Sequence, residues 1–258
     1  MHADNFKLAD YLARIGFEGE ERADVATLSQ MMRCQLFTVP FENLDVQAKK
    51  IVSLVPEDIV TKILYRQRGG YCYEVNGLFA MALQALNIPY IFVAARPMFY
   101  PVRRPKTHMA VVAQIDGENW LCDLGFGSYG IRAPMRLSAL DEAQQQDFDL
   151  FKLTKTSERE YLLQAWVEGD WANQYGFDLS PQEWIDFMPA NYLNSTHPDA
   201  IFVQKLLIVL HNPVGRKILL GDSLKVVEQH RTEKKSIASV DMTQILAEHF
   251  GLKDGVGV

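Results

Sequence analysis

With 258 residues, 48% of them hydrophobic and 22% charged, the chain has the composition of an ordinary globular protein, long enough for two or three packed units without disulfides or structural metals. Its net charge of −6 argues against broad binding to nucleic acid or to an anionic membrane, while leaving room for a local basic pocket. The longest apolar runs, 88–95 and 206–210, are too short to span a bilayer, and no basic-then-apolar leader opens the chain, so a cytoplasmic protein is expected.

Helical periodicity opens the chain, over residues 6–15, 23–36 and 56–66. From Val75 the apolar positions Leu78, Phe79, Ala82, Leu83 and Leu86 repeat at helical spacing, which predicts an amphipathic helix that stops at Asn87-Ile88-Pro89. Cys72 falls in its first turn, just past Gly69-Gly70, the last flexible point before it. Unpaired N–H groups there favour thiolate, and with a cation nearby they lower a cysteine pKa from about 8.5 into the range of roughly 3.5–7.5. Cys72 is therefore a candidate nucleophile. Cys34, inside the pattern Val25, Leu28, Met31, Met32, Leu36, and Cys122, in strand alternation, read as core filler. Three cysteines with no CxxC pair fit a reducing compartment.

From residue 90 to about 171 the pattern changes to short strands separated by turn residues. The β-rich runs 107–115 and 119–124 flank Asp116-Gly117-Glu118, a strong hairpin signal. With Asp116-Gly117 as a two-residue loop, Ala110 faces Asp123 and His108 faces Gly125; with Gly117-Glu118 at the tip, Val112 faces Asp123. Either register puts His108 and Asp123 on one face, and the first makes them diagonal neighbours roughly 7–8 Å apart. A three-residue loop separates them. Cys72, His108 and Asp123 then supply nucleophile, base and orienter in chain order.

After a helix near 181–193 come three strand-like runs, 202–210, 216–220 and 224–229, and a closing helix over 241–250. The run Gly125-Phe126-Gly127-Ser128-Tyr129-Gly130 satisfies GxGxxG, but Pro134 stands where the required helix would continue, so a side-chain-poor segment beside Asp123 is the better reading. The remaining histidines, His2, His197, His211, His230 and His249, show no metal-binding spacing, and no metal site is expected. Arg103-Arg104-Pro105-Lys106 reads equally as a solvated loop or as an attractor for a phosphate-bearing cosubstrate. Arg68 and Glu42 read as a buried structural pair, since an unpaired buried arginine is very costly.

These motifs together resemble the arylamine N-acetyltransferase family. The resemblance runs through Tyr11-Leu12-Ala13-Arg14-Ile15-Gly16, Val39-Pro40-Phe41-Glu42-Asn43-Leu44-Asp45, Arg68-Gly69-Gly70-Tyr71-Cys72, Thr107-His108-Met109, Asp123-Leu124-Gly125-Phe126-Gly127, Asn194-Ser195-Thr196-His197-Pro198 with Phe202, and Gly215-Arg216. It implies an α+β multidomain fold: a helical bundle over 1–87 with the nucleophile, a β-barrel-like domain over 88–196 with base and acid, and an α/β lid over 197–258 that ends soon after Gly251-Leu252. The catalytic core it implies is papain/transglutaminase-like, with Cys72, His108 and Asp123 as the triad. Phe41, Phe126 and Phe202 are its acceptor-binding residues, and Thr107, Gly125 and Gly127 its acyl-CoA-binding ones.

The implied activity is double displacement. Acetyl-CoA serves as cosubstrate, with no bound cofactor, and acetyl-Cys72 passes its acyl group to an arylamine, a hydrazine or an N-hydroxyarylamine. No nucleic-acid or membrane partner is implied. A Cys-His-Asp amidase or transglutaminase-like hydrolase shares the constellation, and an amide synthase acting on a carrier-bound acyl chain lies within the resemblance. A non-catalytic binding protein has no need of all three groups.

Overall fold

The computed structural model describes residues 1–229 and 231–253; His230, one of the histidines surveyed for metal binding, and the end of the expected 197–258 unit lie outside the described residues. The first third is helical: α1 Leu8–Ile15, α2 Val25–Thr38, a short strand β1 Phe41–Glu42, α3 Leu44–Gln47, α4 Pro56–Val60 running into a π-turn Thr61–Tyr65, and α5 Cys72–Ala85. Local chemistry sets several of these ends. Asp24 caps α2 by accepting from the Thr27 N–H at 2.7 Å, Pro56 starts α4, and Gly16 ends α1 with a φ of 67°.

Helix α5 departs from the amphipathic expectation. Every residue from Cys72 to Leu83 is buried, because the helix packs against α1 and α4 and against a strand of the central sheet, leaving no solvent face. Gly77 is part of this: a Cβ there would stand 2.8 Å from the Trp184 ring.

The central sheet has eight antiparallel strands, β2 Tyr90–Pro97, β3 His108–Ile115, β4 Glu118–Cys122, β5 Met135–Arg136, β6 Gln144–Gln146, β7 Asp149–Lys155, β8 Tyr161–Val167 and β9 Asp170–Phe177, in the spatial order β5-β4-β3-β2-β9-β8-β7-β6. It forms a curled half-barrel, and its strands continue to Phe177 rather than stopping near 171. The β3–β4 hairpin takes the two-residue loop: Ile115 pairs with Glu118, and Asp116 and Gly117 have φ of 52° and 76°. Both central residues at positive φ make the turn whose twist matches the strands.

A 3₁₀ turn, Trp184–Phe187, leads into α6 Met188–Thr196, and then come α7 Ile201–Gln204, β10 Leu207–Asn212, β11 Gly215–Leu220, β12 Ser223–Glu228, β13 Arg231–Ser236 and α8 Met242–Phe250. The expected strand over 202–210 is therefore half helix. The Asn43 side chain donates to the carbonyls of Phe202 and Lys205 at 2.7 and 2.9 Å and accepts from the Leu207 N–H at 2.7 Å, which satisfies the end of α7 and starts the strand. The sequence pattern also missed β13, whose residues are all exposed; a charged edge strand has no apolar alternation to read and discourages further pairing. The second sheet runs β1-β10-β11-β12-β13, so a piece of the N-terminal third is a strand of the C-terminal one. Among the described residues, no helix is long and apolar enough to cross a membrane.

Candidate active site

The turn before α5 is built by close approach rather than flexibility. Gly70 accepts from the Glu42 N–H at 3.0 Å and donates to the Pro40 carbonyl at 3.2 Å, and a Cβ on Gly69 would stand 1.9 Å from that carbonyl oxygen. Beneath the turn lies a charge network. Arg68 donates through Nη2 to Glu42 at 2.7 Å, and Lys62 Nζ lies 2.6 Å from Asp45 and 2.7 Å from Glu74. Glu74 also accepts from the Tyr71 N–H at 3.0 Å, capping the helix that carries Cys72. Burial, against the pull of Lys62, pushes the Glu74 carboxyl up to about 7.

Cys72 is the first residue of α5 and is buried. Gly125 lies directly on it, since a Cβ there would come within 2.5 Å of the Cys72 Cα. His108 opens β3, and its Nε2 is 2.7 Å from Asp123 Oδ2 just beyond the end of β4. Burial works against the imidazolium, but the Asp123 charge and hydrogen bond, with an interaction from Cys72, raise His108 to about 10. Burial likewise opposes ionisation of Asp123, yet the carboxyl is held below its usual range by His108, the Gly125 N–H and Asn76. Because Nε2 is committed to Asp123, Nδ1 is the ring nitrogen left for the thiol.

A cavity of about 550 Å³ opens in front of this pair. Its wall includes Cys72 and His108 together with every other residue anticipated for substrate: Phe41, Phe126, Phe202, Thr107, Gly125 and Gly127. Asp123 stands behind His108, fully buried. The Phe41 and Phe202 rings meet at 5.9 Å, and Phe126 lies 5.1 Å from the His108 ring. The segment after Asp123 opens no helix, as expected, and Gly127 takes a φ of 96°.

The N-acetyltransferase family model matches residues 24–255. The arylamine N-acetyltransferase of Mycolicibacterium smegmatis is 30% identical over 96% of this chain and 92% of its own length. The chain belongs to the arylamine N-acetyltransferase family. A Salmonella typhimurium relative named arylamine N-acetyltransferase / N-hydroxyarylamine O-acetyltransferase is 32% identical over 83% of this chain and 77% of its own. The solved arylamine N-acetyltransferase of Mycobacterium marinum in complex with CoA superposes with a TM-score of 0.90 at 28% identity, covering 96% of this chain and 93% of that one.

Several neighbours of the site escaped the sequence reading. Asn76 donates to Asp123 Oδ1 at 3.1 Å and to the Met109 carbonyl at 2.7 Å, and accepts from the Leu124 N–H at 2.8 Å. Its position one helical turn after Cys72 was the available signal. Tyr175, on β9, packs 5.0 Å from the His108 ring and 4.8 Å from Phe126; nothing local in the sequence marks it. Phe99, Tyr100 and Arg104 also line the cavity. The basic cluster divides: Lys106 pairs with Asp178 at 2.6 Å, Arg103 is exposed, and Arg104 faces the cavity with no ion-pair partner among the described residues. Cys122 is buried as expected, whereas Cys34 is only half-buried. Among the described residues no group of histidine, cysteine and carboxylate side chains is arranged to hold a metal.

Proposed function

We propose that the protein transfers the acetyl group of acetyl-CoA to arylamines, hydrazines and N-hydroxyarylamines by double displacement through acetyl-Cys72. His108 holds the proton of Cys72 as a thiolate–imidazolium pair, and Asp123 stabilises that imidazolium. The thiolate attacks the thioester carbonyl carbon, the bond from that carbon to the CoA sulfur breaks, and CoA leaves as the thiol with the proton of His108. The acceptor nitrogen then attacks the acetyl carbon of acetyl-Cys72, the bond from that carbon to Cys72 Sγ breaks to return the thiolate, and the nitrogen gives its proton to His108, which restores the pair. The Cys72 N–H, at the first position of α5 and with no partner among the described residues, is the oxyanion donor in this reading.

The observation that carries the reading is the 2.7 Å contact between His108 Nε2 and Asp123 behind a cysteine at a helix N-terminus, on the wall of an aromatic cavity. Phe41, Phe126 and Phe202 bind the acceptor ring, while Thr107, Gly125 and Gly127 border the acyl-CoA path. Arg104, which faces the cavity with no ion-pair partner among the described residues, supports a phosphate-bearing cosubstrate. The activity named for the Salmonella relative and the CoA bound in the Mycobacterium marinum structure support the N-hydroxyarylamine and CoA assignments. A cysteine helix packed on the strand that carries the histidine supports a papain/transglutaminase-like core. The succession of helices up to α5, the sheet from β2 to β9 and the second sheet from β10 onward supports division into units over 1–87, 88–196 and 197–258, with β1 crossing into the last. Free thiols support a cytoplasmic setting.

A single-turnover experiment tests the reaction. Protein loaded by acetyl-CoA should be discharged by aromatic amines far faster than by water. Discharge by water alone, at a rate no amine increases, would identify a hydrolase instead.

A further inference from the structure

We propose that His211 is a positioning residue for the acceptor side of the cleft: from the five-stranded sheet it fixes the 125–130 segment, and through that segment the ring of Phe126. The segment belongs to no helix or strand, so its shape is set by individual contacts. At its start the Gly125 N–H donates to Asp123 at 2.9 Å, and in its middle the Gly130 N–H donates to the Gly127 carbonyl at 3.1 Å. The second donor to that carbonyl is His211 Nε2, at 3.0 Å.

His211 is buried on β10, and its neighbour across the ladder is Arg216 on β11. The Arg216 guanidinium lies 4.6 Å from the centre of the Tyr129 ring and pairs with Asp149, and Asp149 also holds the fully buried Arg132. One sheet thus grips the segment twice, at the Gly127 carbonyl and at the Tyr129 ring. Phe126 lies just before the first grip and presents its ring to both His108 and the cavity.

The chemistry of the ring suits the task. A carbonyl can only accept, so Nε2 must carry the proton. Burial, with the charges of Arg132 and Arg216, pushes His211 down to about 3, which keeps the ring neutral and Nε2–H as its one donor. A small void of about 10 Å³, lined by His211, Phe126, Gly127 and Asp123 among others, lies at the junction.

The test compares His211→Phe, which keeps a buried ring and removes the donor, with His211→Gln, whose amide can donate to the same carbonyl. Two readouts are taken: amide hydrogen exchange across residues 125–130, and the amine concentration that gives half-maximal discharge of acetyl-Cys72. His211→Phe should speed exchange at 126–130 and raise that concentration about tenfold, the effect of one buried hydrogen bond, with a smaller fall in the limiting rate. His211→Gln should restore both toward wild type. The amine readout rests on the proposed function, whereas the exchange readout needs no activity, so failure of one is distinguishable from failure of the other. If His211→Phe does not fold, His211→Met against His211→Gln makes the same comparison. Donor-less and amide variants that behave alike, or faster exchange confined to β10 and β11, would overturn the assignment.

Discussion

Three donors converge on Asp123: His108 Nε2 at 2.7 Å, the Gly125 N–H at 2.9 Å and Asn76 Nδ2 at 3.1 Å. Asp123→Asn keeps the shape but removes the charge that raises His108, so turnover should fall by orders of magnitude and alkylation of Cys72 at neutral pH should slow. A stability signature accompanies this. With His108 raised to about 10, its contribution is fully present below the ordinary imidazole value of about 6.5 and is lost as pH rises through about 10. Asp123, held low, contributes above its ordinary value of about 3.9 and loses that only as pH falls through its lowered one. Urea titrations should therefore show a larger deficit for Asp123→Asn at pH 6 than at pH 10, and a pH-independent deficit would contradict the pairing. Gly125→Ala is expected to cost about 1–3 kcal/mol and to slow Cys72 alkylation, because the new Cβ meets the Cys72 backbone. Unchanged alkylation kinetics would show that the contact is relieved at no cost to the site. That His108 and Asp123 share a face was legible in the sequence, because a two-residue hairpin loop fixes which side chains lie together. Tyr175 was not, since it reaches His108 from β9 across the sheet, beyond any local period.

At the scale of elements, α5 depends on a carboxylate that is both cap and ion-pair partner. Glu74→Ala removes the bond to the Tyr71 N–H and one of the partners of Lys62, leaving buried positive charge less balanced. The expected loss is about 1–3 kcal/mol in urea denaturation, since Lys62 keeps Asp45, with Glu74→Gln milder because its amide oxygen still accepts from Tyr71. Equal losses in the two variants would assign the effect to charge alone. The existence of α5 was readable from its apolar spacing, but its burial on all sides was not, since Glu74, Asn76 and Gly77 read as a polar face until Lys62, Asp123 and Trp184 are placed against them. The helix over Ile201–Gln204 was hidden for a similar reason, its terminal carbonyls being satisfied by Asn43 from far along the chain.

Across the whole molecule, two ion-pair groups join parts that the sequence separates. Arg33 on α2 meets Asp147 at 2.9 Å, while Asp149 at the start of β7 holds both Arg132 and Arg216, the latter on β11 of the other sheet. Asp149→Ala leaves two buried guanidinium groups without this partner, and a loss of about 3–5 kcal/mol is expected, read as a lower urea midpoint in one cooperative transition. A wild-type midpoint would show that the two sheets are held by apolar packing alone. Such links leave no periodic trace, because each partner is chosen by the finished fold, whereas the order of helical and strand-rich regions follows from local period and was legible. The central claim, that the acyl group rests on Cys72 between the two halves of the reaction, is tested most directly by intact mass and peptide mapping after incubation with acetyl-CoA and no amine. One acetyl group on Cys72, removed by a later addition of aromatic amine and absent in Cys72→Ala, is the expected result. Acetylation of Cys34 or Cys122, or turnover that survives in Cys72→Ala, would contradict it.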